Sequence, residues 1–166
     1  MEKIIFVSSA SSFLGKEIIR FYEKKEFFII SYCEHMLPLK KTNHIRVNNI
    51  NKLLKIFKKT KYIDLFFLNN GLIGNQFDFN YLIKSHFEKT KSLLDISKKT
   101  IIERLIFFRT ADEVGLVNKP INENDKLNPQ TKYAFSKALT LKYIENFCNK
   151  HDIKYIFFRL FLVVGE

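Results

Sequence analysis

The sequence has only two cysteines, Cys33 and Cys148, far apart and with neither a CxxC pair nor a neighbouring histidine cluster. A disulfide framework and a structural zinc site are therefore excluded, and both thiols are expected to be reduced and structural. Long apolar runs are also missing, since none approaches the roughly 20 residues that a bilayer-spanning helix needs. The start of the chain, "MEKIIFVSSASSFLG", carries an acid at position 2 and reads as a buried strand, not a signal peptide, so a cytoplasmic protein with no membrane partner is expected. No repeat or low-complexity linker divides the 166 residues, which points to a single domain. Arginine is scarce: of 28 basic residues only five are Arg, at 20, 46, 104, 109 and 159. The net charge of +11 thus comes mostly from lysines scattered as pairs among Phe, Ile and Asn, a mixture that AT-rich coding gives without selection for a partner. A specific nucleic-acid role is not expected from charge alone.

What is present is an alternation of apolar, β-rich runs with helix-period segments. Strands are expected at 3–9, 27–33, 44–47, 63–70, 104–110 and 153–164, and helices at 13–25, 51–60, 81–99 and about 130–150. Runs that are apolar on both faces and separated by helices predict a doubly wound, Rossmann-like α/β domain, its parallel sheet covered by helices on both sides. In such a sheet ligands bind at the carboxyl ends of the strands, and the first strand-to-helix turn commonly holds a phosphate.

That first turn reads "VSSASSFLG". The fourth strand closes on "LNNG", the fifth runs into "RTADEVG", and a later helix carries "YAFSK", which stacks Tyr133 and Lys137 one turn apart on a single face. The last strand continues as "RLFLVVGE". Any one of these has a plain structural reading: a solvated Tyr/Lys pair, a strand-ending threonine, a good turn at 69–71. Their order and spacing over essentially the whole chain resemble the NAD(P)-dependent epimerase/dehydratase family, the extended short-chain dehydrogenases.

The resemblance implies a catalytic triad of Thr110, Tyr133 and Lys137. Tyr133 would be the acid/base, Lys137 would lower its pKa and hold the nicotinamide ribose, and Thr110 would orient the substrate oxygen. It also implies a cofactor turn of Ser9, Ser12, Phe13, Leu14 and Gly15, with the two serines where the family has its first two glycines. Cys33 falls at the family's ribose-binding acid with Glu34 beside it. Asn49 and Ile50 fall at the adenine step, and Asn69, Asn70 and Gly71 at the turn bordering the cofactor. Glu34 favours NAD, while Lys40 and Lys41 leave NADP open. Leu162 replaces an Asn that commonly faces the substrate, and His86 is expected to be a partly buried helix residue.

The implied chemistry is hydride transfer on a nucleotide sugar. The chain is expected to stop where the family's substrate lobe begins, so a complementing chain or a homodimer through helices 81–99 and 130–150 is implied. A binding or scaffold module that keeps the fold without turnover is the alternative.

Overall fold

The computed structural model describes residues 2–164. Seven strands, β1 (Lys3–Val7), β2 (Phe27–Tyr32), β3 (Leu39–Lys40), β4 (His44–Val47), β5 (Tyr62–Leu68), β6 (Ile101–Thr110) and β7 (Lys154–Leu160), form one sheet in the order β3-β4-β2-β1-β5-β6-β7. All neighbours run parallel except β3, a two-residue edge strand antiparallel to β4 that the sequence pattern did not announce. The helices are α1 (Phe13–Glu23), α2 (Ile50–Phe57), α3 (Phe79–Ile83), α4 (Lys89–Ser97) and α5 (Lys132–Lys150).

Ile5, Phe6 and Val7 of the central β1 are fully buried, which requires cover on both faces. Phe6 faces the larger core, where α2, α4 and α5 bring Leu53, Phe57, Leu93, Leu94, Ile144 and Phe147. Its ring sits 5.2 Å from Phe57 and 4.4 Å from Phe66, centroid to centroid. Ile5 and Val7 face the opposite side, covered by Ile18, Ile19 and Tyr22 of α1. The doubly wound, single-domain expectation is met, with three of the main helices on one face and α1 on the other.

Helix starts are set by side-chain caps. Ser12 accepts from the Gly15 amide, Asn49 from the amides of Asn51 and Lys52, Asp78 from Asn80 and Thr131 from Ala134. Each such cap is worth about 1 kcal/mol because it satisfies a donor that the helix cannot.

Two expectations need correction. The helix read as continuous over 81–99 starts at Phe79, where Asp78 caps it, and is interrupted by a π-helical turn, Lys84–Glu88, between α3 and α4. Apolar periodicity cannot register that one-residue change in winding. The last strand ends at Leu160, not 164, and Leu162 is exposed in irregular chain; Gly165 and Glu166 of the "RLFLVVGE" segment lie outside the described residues. On the far side of the sheet, Ser31, His44 and Glu23 form a hydrogen-bonded row, 2.8 Å and then 3.0 Å, that resembles a hydrolase relay. Ser31 is completely buried, so no substrate carbonyl can reach it, and the row instead ties α1 to the sheet edge.

Candidate active site

The strand order reverses at β1, whose two neighbours β2 and β5 lead away in opposite directions, and a crevice opens there at the carboxyl ends. Ser9 opens the turn after β1 in a left-handed conformation, φ 47°. Glycine adopts that region freely and other residues enter it under strain, so the backbone here has the shape a glycine motif makes. Gly15 has an equally specific reason: a Cβ on it would run into the Ser9 carbonyl oxygen. Gly15's amide is capped by Ser12, which leaves the amides of Phe13 and Leu14 without an intrahelical acceptor at the positive end of α1.

Ser8 and the two serines that stand for glycines, Ser9 and Ser12, brace the turn against the end of β5. The Ser8 hydroxyl donates to Asn69 Oδ1 at 3.0 Å and accepts from the Asn69 amide, Asn69 Nδ2 donates to Ser12 Oγ at 2.8 Å, and Ser9 Oγ donates to Asn70 Oδ1 at 3.1 Å. Asn70 in turn donates to Thr90 of α4. The structure therefore brings Ser9, Ser12, Gly15, Asn69 and Asn70 together and uses the serine hydroxyls within the protein.

Beyond this turn a narrow cleft of about 80 Å³ is lined by Ser9, Ser11, Cys33, Glu34, Asn70 and Lys89 among others. Cys33 is buried and donates its S–H to Ser11 Oγ. Glu34 is engaged: Lys89 donates to one carboxylate oxygen at 2.7 Å and the Tyr32 hydroxyl to the other at 3.0 Å. The Lys89 bond is the main reason its carboxyl is held below the usual range, with the Tyr32 bond adding to it. Asn49 is spent as the cap of α2, and Ile50 packs against the larger core, so neither joins this cleft. Lys89 was not singled out from the sequence, because nothing local to a lysine on a helix reveals a partner 55 residues earlier.

The three triad candidates converge at the end of β6. Thr110 is its last residue and caps the short 3₁₀ turn Ala111–Val114, accepting from the Asp112 amide at 3.3 Å. Its hydroxyl lies near enough to the Tyr133 phenol to pull that group's pKa down against the effect of burial. Tyr133 lies in the first turn of α5 and Lys137 one turn on, both buried. The Lys137 ammonium donates to the Phe108 carbonyl at 2.7 Å and lies 4.4 Å from the centroid of the Phe107 ring. Burial pushes its pKa down to about 8, against a smaller opposing pull from Glu113.

Here one expectation is corrected. The Tyr133 phenol titrates above its ordinary value, because burial outweighs the Thr110 bond while Asp112 and Glu113 push the same way as burial. Lys137 turns its charge to the Phe108 carbonyl, so the expected lowering of the phenol is not found.

Two further residues surround the triad. Glu113 is fully buried and accepts from Arg109 Nε at 2.8 Å, which holds negative charge beneath the Tyr133 end of α5. His86, expected to be partly buried, is sealed in the π-helical turn with its ring 5.6 Å from that of Tyr133, edge to face. Burial, and then the charge of Lys137, push its pKa down to about 4, which keeps the ring neutral near pH 7. Among the described residues no group of acids, histidines and cysteines is arranged to hold a metal, and no helix is long and apolar enough to cross a membrane.

Known proteins place this geometry. The chain superimposes on UDP-glucuronic acid 4-epimerase from Bacillus cereus in complex with NAD with a TM-score of 0.83 at 17% identity, covering 98% of this chain and 57% of that one. For UDP-glucose 4-epimerase from Brucella ovis in complex with NAD the values are 0.82 and 15%, covering 96% and 52%. For the UDP-Glc/GlcNAc 4-epimerase of Campylobacter jejuni they are 0.82 and 16%, covering 95% and 53%. At these identities the likeness is one of fold, and this chain spans little more than half the length of each. No curated protein matches the sequence. The model of the NAD dependent epimerase/dehydratase family matches residues 5–166, nearly the whole sequence, and the chain belongs to that family.

Proposed function

We propose that this chain binds NAD(H) along the carboxyl edge of its sheet and supports hydride transfer at a carbinol carbon of a nucleotide sugar, as the cofactor-binding half of an epimerase/dehydratase. The observation that carries the reading is the meeting of Thr110, Tyr133 and Lys137 at the end of β6, on the same carboxyl edge as the Ser9–Gly15 turn two strands away. The residues present fit a dinucleotide: the Phe13 and Leu14 amides suit a diphosphate at the start of α1, and bare Gly15 lets the chain pass close beneath Ser9. The fold relatives crystallised with NAD support the same cofactor.

When bound, the nicotinamide supplies the hydride acceptor. Tyr133 exchanges a proton with the substrate oxygen as hydride leaves or returns at the adjacent carbon. Burial favours the neutral phenol, so the chain as folded is set to donate that proton to a carbonyl oxygen, and the oxidative direction must first ionise Tyr133. Thr110, with one lone pair taken by the Asp112 amide, keeps its proton to share with the same oxygen. Lys137 spends one of its three protons on Phe108 and keeps two for a ribose hydroxyl. Substrate contacts beyond Thr110 and Tyr133 would come from polypeptide outside residues 1–166, in a continuing or a complementing chain. Exposed Tyr81, Phe135 and Leu139 on α3 and α5 support self-association through these helices; a monomer by light scattering at micromolar concentration counts against it.

Calorimetric titration with NADH tests the cofactor reading. Saturable binding that Lys137→Ala weakens is expected; no affinity for NAD(H) or NADP(H) tighter than about 1 mM would reject it. The surviving reading would then be a module that keeps the fold without turnover, which the Lys89–Glu34 pair across the narrow cleft favours.

A further inference from the structure

We infer that His86 is a positioning residue: its imidazole clamps the Asn70–Leu72 turn to the first turn of α5, so that the Tyr133 oxygen and the turn bordering the cofactor are held as one rigid unit. Nδ1 lies 2.7 Å from Ser136 Oγ, and that hydroxyl also donates to the Tyr133 carbonyl at 2.7 Å. On the other side, Nε2 lies 3.1 Å from the Leu72 amide nitrogen and 2.9 Å from the Leu72 carbonyl oxygen. A neutral ring has one N–H and one bare nitrogen, and because the single Ser136 proton goes to the Tyr133 carbonyl, one tautomer satisfies both partners: Nδ1–H donates to Ser136 Oγ and bare Nε2 accepts from the Leu72 amide.

Three features support the clamp. Gly71 adopts φ 131°, and a Cβ there would overlap the His86 ring, so the turn can close over the imidazole only because that residue lacks a side chain. The π-helical turn closes through the Lys89 amide donating to the Lys84 carbonyl, a five-residue step, and His86 sits inside it. One helical turn later Thr90 accepts from Asn70, so two successive turns of the same helix hold one three-residue segment. His86 has no route to solvent and no free proton to trade, which makes positioning, not proton transfer, its work.

The consequence for catalysis rests on the hydride-transfer reading, whereas the clamp itself does not. Amide hydrogen exchange and NADH titration on the full chain separate the two. His86→Ala is expected to speed exchange at Leu72 and in the first turn of α5 by at least about tenfold while β1 and β5 stay protected, and to weaken NADH by about tenfold. Gln places an amide where Nε2 lies and Asn places one where Nδ1 lies. His86→Gln should therefore keep Leu72 protected and release α5, and His86→Asn the reverse; these variants carry the test if the alanine variant does not fold. Unchanged exchange at both sites, or faster exchange spread evenly over the sheet, overturns the clamp. A wild-type chain that fails to bind NADH rejects the cofactor reading, and the exchange measurements still decide the clamp.

Discussion

Gly15 lies so close beneath the carbonyl oxygen of Ser9 that the first turn of the sheet has no room for a single added methyl group. The turn is held on its other side by Asn69 and Asn70, so it cannot yield by moving away. Gly15→Ala is expected to destabilise the chain by about 2 kcal/mol or more, in the range of overpacked sites, and to remove NADH binding in the fraction that still folds. A variant with unchanged melting temperature and affinity would show that the turn is looser than its contacts imply.

Tyr133 and Thr110 are predicted to separate binding from chemistry. Tyr133→Phe keeps the ring in place and removes one oxygen, so turnover should fall by about 10²–10⁴-fold with NADH affinity nearly unchanged. Thr110→Ala should lower turnover less, and Thr110→Ser should restore much of it, because serine keeps the hydroxyl that acts on the phenol. Equal losses in affinity and turnover for Tyr133→Phe would place the phenol in binding instead.

Lys137 carries a charge that its buried site disfavours, with a pKa near 8 against an ordinary value of 10.5. An unfolded chain holds that proton more tightly, so the burden on stability is complete below pH 8 and is relieved as pH rises from 8 towards 10.5. Lys137→Met should therefore raise the unfolding temperature at pH 7, by an amount equivalent to roughly 1–3 kcal/mol, while it weakens NADH. A variant that is both less stable and still active would contradict this account.

His86 predicts acid lability. Its ring, held neutral down to about pH 4, takes up a proton in the unfolded chain near 6.5. The stabilisation it provides is present above pH 6.5 and is lost as pH falls towards 4, amounting to roughly 3 kcal/mol for a shift of that size. His44, also lowered chiefly by burial, acts in the same direction. Urea unfolding at pH 7 and pH 4.5 should show a smaller decline for His86→Gln than for the wild type; parallel declines would assign the acid sensitivity elsewhere.

Lys89→Ala is expected to alter cofactor preference. Freed from its partner, the Glu34 carboxylate would repel a ribose 2′-phosphate more strongly, so the NADPH-to-NADH affinity ratio should fall several-fold at low salt. An unchanged ratio would place Glu34 outside the ribose site.

The sequence alone determined the layer architecture, the crevice and the order of the candidate residues along it. Apolar runs on both faces require a sheet covered twice, and Tyr133 and Lys137 are joined by one helical turn whatever the rest of the chain does. Position on the chain likewise foretold that Ser9, Asn69 and Thr110 would lie at or just past the carboxyl ends of their strands, along one edge. Tertiary structure decided which partners those side chains meet. Glu34 is drawn to Lys89, Asn49 is taken by its own helix, Lys137 turns to the Phe108 carbonyl, and Tyr133 titrates upward because of what buries it. His86 gains its two partners through a π-helical turn that periodicity cannot register. Backbone pattern is a local, short-range property written residue by residue, whereas burial and charge at a site are sums over groups that meet only when distant segments have packed.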